Sequence, residues 1–430
     1  MIEYLYMWNI FTKKDTSKKK RIYLDNAGAT EVSERAKRAL LESLSVYGNP
    51  SAIHYEGTKA GQLLDSARAM CATILNAHAY EIYFVSSGTE SCNLAVVGTY
   101  NAYHKNNPNV IPHVIVSVIE HPAILEPIKA LERESKIRVT YIPVTPEGFV
   151  KVEDIKQALT DATILVSVMY ANNEIGTLEP VKEIGRMLDE WKKSKSLPHT
   201  AYPYFHIDAC QAANYCNLDV LRLKCHLMTV NSSKIYGPKG AALLYKREGV
   251  KLAPVTLGGG QERELRSGTE ATPLYYSFAH ALKETKELEA QEVKRLESLN
   301  DYTRKELIKA VPSIIFYGAF DEVGMLMEGH KEPKRVMKRL PNNINCRVKG
   351  ITSEEMILRL DASGFAVSHK SACASLETDG SYVVMALGAR EEEALENIRI
   401  SFGRRTTKDD VDAFVSALKS IVDKYVSVVK

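Results

Sequence analysis

Two stretches decide how this chain is read: Tyr204-Phe205-His206-Ile207-Asp208-Ala209-Cys210-Gln211 and Leu227-Met228-Thr229-Val230-Asn231-Ser232-Ser233-Lys234. Each is a short apolar run, rich in strand-forming residues, that ends on an ionisable side chain, Asp208 in one and Lys234 in the other. Short runs of this kind recur at 82–85, 114–118, 138–144, 164–169 and 241–245. Between them lie segments with helical spacing at 90–103, 122–134, 152–159 and 181–193, with Pro122 where a first-turn proline belongs. Strand–helix alternation predicts a mostly parallel, seven-stranded sheet covered on both faces. Its ligand site is expected at the carboxyl ends of the strands.

The fold class is therefore α/β. We expect a tail over 1–21, a large domain over 22–285 and a smaller α+β domain over 286–430. A long charged helical stretch at about 277–310 leads into the smaller domain, which holds strands at 314–317 and 343–348 and helices at 353–363 and 408–426. Segments 192–204 and 320–335 read as insertions.

With 430 residues, 45% hydrophobic and 25% charged, the composition is that of a globular protein, too long for one ordinary core. The net charge of +3 comes from dispersed residues, and the one basic run, 13–21, reads as a solvated tail, which argues against nucleic acid. No apolar run approaches the roughly 18 residues of a membrane span. The N-terminus is apolar first and basic second, the reverse of a secretory signal, so a cytoplasmic location is expected. Seven cysteines at 71, 92, 210, 216, 225, 346 and 373 contain no Cys-x-x-Cys pair, so neither a disulfide framework nor a metal site is expected.

Asp208 and Lys234 taken singly are at home as solvated charges. Together they match what pyridoxal phosphate requires, an amine for an imine and a carboxylate for a protonated ring nitrogen. Ser87-Gly88-Thr89-Glu90 follows a strand and opens a helix, where free amides and the helix dipole favour a phosphate; an ordinary N-cap reads the same way. His121 ends another strand, either as a satisfied loop residue or as a proton shuttle stacked on a flat ring. Asn172-Asn173 is a polar turn or a pair of amide donors. The loop 258–269, with Arg266 and Thr269, has the glycines and hydroxyls to close over a phosphate, a weak signal alone. Cys373 sits in a polar stretch after His369-Lys370, where cations would lower its pKa. Arg399, in Ile398-Arg399-Ile400, has the planar fork that carboxylate recognition uses.

In this order the motifs resemble those of the cysteine desulfurases, class V, fold-type I pyridoxal-phosphate enzymes, in the long-loop group that supplies iron–sulfur assembly. The matching runs include Tyr23-Leu24-Asp25-Asn26-Ala27, Glu120-His121-Pro122, Asn172-Asn173-Glu174, Asp208-Ala209-Cys210-Gln211, Lys234-Ile235-Tyr236-Gly237-Pro238-Lys239-Gly240 and Ser371-Ala372-Cys373. The resemblance implies that Lys234 carries the cofactor, Asp208 pairs with its ring nitrogen, Gln211 and Asn173 bond its phenolic oxygen, and His121 stacks on the ring. Gly88, Thr89 and Ser233 would hold the phosphate, Thr269 would reach the phosphate of a partner in a homodimer, Asn173 and Arg399 would take the substrate's carboxylate, and Cys373 would receive sulfur. It further implies L-cysteine as substrate and a sulfur acceptor, either an iron–sulfur scaffold or a thiolation enzyme. Selenocysteine lyase or another class V activity, and a catalytically dead scaffold, are the alternatives. The chain departs from the family pattern at Ser233 and Asn231, where histidine and serine are usual, and at His369-Lys370 and Gly380 around the thiol.

Overall fold

The computed structural model describes residues 21–319, 338–370 and 380–429. Cys373, the expected insertion at 320–335 and the tail up to residue 20 lie outside the described residues.

Strands β1 (Ile22–Tyr23), β2 (Ile82–Val85), β3 (His113–Ser117), β4 (Arg138–Ile142), β5 (Thr163–Ser167), β6 (Tyr204–Asp208), β7 (Leu227–Asn231) and β8 (Ala242–Lys246) belong to the first part of the chain. Of these, β2 to β8 form one seven-stranded sheet in the order β2-β8-β7-β6-β5-β3-β4. β8 pairs antiparallel with both neighbours, and every other pairing is parallel. Except for β8, the strands therefore present their carboxyl ends along one edge. The sheet is buried on both faces: Phe84, Ile115, Val166, Phe205 and Met228 join one apolar cluster, and Val85, Val116, Leu165, Tyr204 and Leu227 another. Double-sided burial is why these strands read as continuous apolar runs and not as alternations.

Four covering helices fall where helical spacing predicts them, at Gly88–Asn106, Pro122–Arg133, Val152–Ala158 and Val181–Ser194. Two earlier helices, Glu34–Ser43 and Tyr55–Leu75, pack against the long helix Thr272–Ala310. That helix runs unbroken through residue 285. Beyond it, β9 (Ile315–Tyr317), β10 (Asn343–Arg347) and β12 (Asn397–Ser401) form an antiparallel sheet in the order β12-β10-β9, with helices Ser353–Ala362 and Lys408–Val429 contributing to the second core. The chain start joins this second part. β1 pairs with β11 (Phe365–Ala366), and Asp25 bridges to Ser401. Residues 22–25, expected with the large domain, thus pair with strands of the second part: Ile22 and Tyr23 with β11 in a two-stranded sheet, Asp25 with β12.

The segment at 192–204 is anchored by burial. Lys192 is 1% exposed and its Nζ donates to the carbonyl of His199 at 2.9 Å and lies 2.8 Å from His226 Nε2. No described helix is long and apolar enough to cross a membrane.

Candidate active site

One cavity, of about 130 Å³, opens on the carboxyl edge of the large sheet. β2 leads to Gly88 and Thr89, β3 to His121, β5 to Met169, Ala171 and Asn173, β6 to Asp208, Cys210 and Gln211, and β7 to Asn231 and Lys234. Arg399 enters from β12, and Ala27 and Gly28 from the chain start. Of the residues predicted from sequence, Gly88, Thr89, His121, Asn173, Asp208, Gln211, Lys234 and Arg399 meet here. Ser233 is not among the lining residues. Its carbonyl accepts from Thr30 N at 2.9 Å, and Asn231 lines the wall in its place. Thr269 is exposed and lies away from the cavity of its own chain.

Asp208 is 7% exposed, and its Oδ1 accepts the amide of Cys210 at 2.9 Å. Cys92 Sγ lies 3.9 Å from Oδ2. Burial, with Asp208 adding to it, pushes both the Cys92 and Cys210 thiols well above their ordinary range, so they stand as neutral neighbours of the carboxylate. Behind it, His206 bonds Ser167 Oγ at 2.9 Å and Thr229 Oγ1 at 3.0 Å, and burial brings its pKa down to about 4. That uncharged imidazole fixes the strand ends on which Asp208 sits.

His121 caps the helix it precedes, its Nδ1 accepting from Ala123 N at 3.1 Å. A neutral ring accepting at Nδ1 carries its proton on Nε2. Burial lowers its pKa; the Asp208 charge opposes this, while Lys234 and Arg399 add to it. Lys234 Nζ donates to the carbonyls of Ala27, at 3.0 Å, and Gly28. Gln211 Nε2 donates to the same Ala27 carbonyl at 2.9 Å. Arg399 is 1% exposed; Nη1 donates to Asn173 O at 3.1 Å and Nη2 to Asp25 Oδ1 at 2.7 Å.

At the mouth, Glu90 is held by Arg266 Nε at 2.8 Å and by the backbone and hydroxyl of Ser86. Burial raises the Glu90 pKa, but these bonds outweigh it and keep the carboxyl ionised. The glycine-rich loop turns through left-handed residues Glu262, Arg263 and Glu264, pinned by Arg68, whose two Nη atoms bond both Glu262 oxygens at 2.8 and 2.7 Å.

The chain matches the aminotransferase class-V family model over residues 22–414. It is 37% identical over 404 residues to the cysteine desulfurase IscS of Clostridium botulinum, covering 94% of each chain. It is 36% identical over 403 residues to cysteine desulfurase IscS 1 of Archaeoglobus fulgidus, covering 94% of this chain and 97% of that one. The chain belongs to the cysteine desulfurase family of class-V aminotransferases. Among solved structures, a NifS-like protein superposes with a TM-score of 0.81 at 28% identity, covering 94% of this chain and 99% of that one.

One expectation for this family member is corrected. His369 was to add positive charge beside the thiol, but burial, with Lys370 and Arg399 nearby, brings its pKa down to about 4, so it is neutral at pH 7. Lys370 is likewise buried, at 3% exposure. Two contributors carried no sequence prediction, the carbonyls of Ala27 and Gly28 under Lys234 and Asp25 on Arg399, while Asn231, noted from sequence only as a departure from the family pattern, lines the wall. Asp25, Ala27 and Gly28 lie in or beside a motif already singled out, but their partners are far away in sequence.

Proposed function

We propose that this chain removes sulfur from free L-cysteine, giving L-alanine and a persulfide on Cys373, with pyridoxal phosphate in the cavity at the carboxyl edge of the sheet. The observation that carries the reading is the convergence of one amine, one buried carboxylate and one buried guanidinium, Lys234, Asp208 and Arg399, on that single cavity. The groups present suit the cofactor. Gly88 keeps the floor open beside the N-terminus of a 19-residue helix, since a Cβ there would come within 3.2 Å of Cys210 Sγ and 3.3 Å of Asn231 Nδ2.

Pyridoxal phosphate would supply an electrophilic carbon for the substrate's amine and a ring that withdraws electrons from the α-carbon. Lys234 would anchor it and, once released, move the substrate's α-proton. Asp208 would hold the proton on the ring nitrogen, His121 would pack against the ring, and Gln211 and Asn173 would bond the phenolic oxygen. Gly88 and Thr89 would take the phosphate, with Asn231 beside them. Arg399 would bind the substrate's carboxylate through its fork, with Asn173 beside it. The Cys373 thiolate then attacks the substrate sulfur: a sulfur–sulfur bond forms, the carbon–sulfur bond breaks with its electron pair moving to carbon, and protonation there yields L-alanine. The persulfide passes to an acceptor, an iron–sulfur scaffold or a thiolation enzyme.

We further propose a cytoplasmic homodimer. Exposed Tyr47, Ile53, Tyr55 and Leu257, at 81%, 100%, 71% and 80%, support an interface, as does the exposure of Thr269, to which the family resemblance gives a role at a partner's phosphate. Purified protein with added pyridoxal phosphate should turn yellow and release L-alanine from L-cysteine. A protein that stays colourless and inert overturns the reading.

A further inference from the structure

Arg399 is fully buried, yet its charge already has a partner. Asp25 Oδ1 accepts from Nη2 at 2.7 Å, Asn173 O accepts from Nη1 at 3.1 Å, and Nε has no partner among the described residues. Nε and Nη2 form one edge of the guanidinium, the edge on which a carboxylate makes two parallel bonds. Asp25 holds that edge by a single oxygen. Its other oxygen, Oδ2, lies over Gly28, whose Cα approaches so closely that a Cβ would come within 2.4 Å. The turn beneath is fixed: Tyr23 OH donates to Asp25 O at 2.9 Å and to Ala29 O at 2.8 Å, and Gly28 N donates to Asp25 O at 3.0 Å.

We propose that Asp25 is the resident counter-ion of Arg399, which the substrate's carboxylate must displace, and that it thereby sets how tightly the site holds α-carboxylates. The inference rests on the reading of Arg399 as the carboxylate site. A buried guanidinium without a counter-ion is costly, and Asp25 relieves that cost in the resting protein. An incoming carboxylate that spans Nε and Nη2 replaces one bond with two, so exchange is favourable. The side chain of Asp25 is 21% exposed and has water to turn toward. Competition also weakens the hold on the product, which carries the same carboxylate. Asp25 acts through Arg399 and is a specificity-determining residue.

The test uses holoenzyme and two non-reacting ligands, L-alanine, with amine and carboxylate, and ethylamine, with the amine alone. Removing the resident charge in Asp25→Asn should tighten L-alanine about tenfold, the scale of one charge-assisted hydrogen bond, as read by titration calorimetry. Ethylamine affinity should not change, and KM for L-cysteine should fall along with the dissociation constant for L-alanine. L-alanine affinity that is unchanged or weakened in Asp25→Asn overturns the proposal. Should Asp25→Asn not fold, Asp25→Ser carries the same expectation and the same overturning result. Arg399→Leu separates the two claims: it should abolish the preference for L-alanine over ethylamine. If the preference survives there, the carboxylate reading of Arg399 fails; if it is lost there and Asp25→Asn has no effect, only the counter-ion role fails.

Discussion

Lys234 and Arg399, the two cations of the cavity, rest on one turn: Lys234 Nζ donates to the carbonyls of Ala27 and Gly28, and Arg399 Nη2 donates to Asp25. The turn sets Gly28 against the Asp25 side chain: a Cβ would lie 2.4 Å from Asp25 Oδ2 and 3.0 Å from its Cγ, so it would push that carboxylate off Arg399. Gly28→Ala should therefore destabilise the protein by about 1–3 kcal/mol through overpacking. Urea unfolding of the two proteins checks this, and equal midpoints with equal slopes would show that the turn yields at no cost.

Lys234→Ala should lose the visible absorption of lysine-bound cofactor while still retaining some cofactor through the remaining wall. L-alanine release should fall by about 10²–10⁴-fold or more, the range for loss of a positioned proton-transfer group. Absorption spectra and a turnover assay on the same sample measure both.

Asn231 takes the place in the cavity wall that Ser233 was expected to fill, with its Nδ2 beside the Gly88 floor. Asn231→Ala should weaken cofactor retention by about 1 kcal/mol, the value of one neutral hydrogen bond, or roughly fivefold in dissociation constant. Dialysis followed by cofactor release reads the change. Ser233→Ala should leave retention unaltered.

Lys192 and His226 make a pH-dependent stability device remote from the cavity. His226 Nδ1 accepts from Phe205 N at 3.0 Å, which puts the proton of the neutral ring on Nε2, the atom facing Lys192 Nζ. An N–H facing an ammonium is unfavourable. Burial lowers the Lys192 pKa to about 7, with Arg247 adding to this and Asp189 opposing it. The folded pKa lies below the ordinary lysine value of about 10.4, so the unfolded chain binds more protons between the two, and stability should rise with pH across about 7 to 10. Melting temperatures across that window should climb in the wild type and climb less in Lys192→Met. Parallel curves would contradict the pairing.

The large sheet was legible because most of its strands are buried on both faces and had to be apolar runs, and all seven predicted runs fall within it, the half-exposed edge strand β4 included. The cavity followed from the same logic, because Asp208, His121 and Lys234 sit at or just past strand ends. What sequence spacing does not carry is contact across the fold. Asp25 and Arg399 meet only because β1 pairs with β11 and the residues after it bridge to β12. The neutrality of His369 was hidden for a related reason. A histidine in a polar stretch reads as a cation until burial is known, and burial here comes from packing.

The central claim is that sulfur leaves L-cysteine onto Cys373, and one measurement tests it most directly. Holoenzyme is incubated with L-cysteine without reductant, and L-alanine release is followed alongside mass spectrometry of each cysteine-containing peptide. The account predicts one added sulfur on Cys373, none on the six buried thiols, and alanine formed in proportion, with both lost in Cys373→Ser while the cofactor spectrum is kept. Alanine formed by Cys373→Ser at the wild-type rate would contradict it.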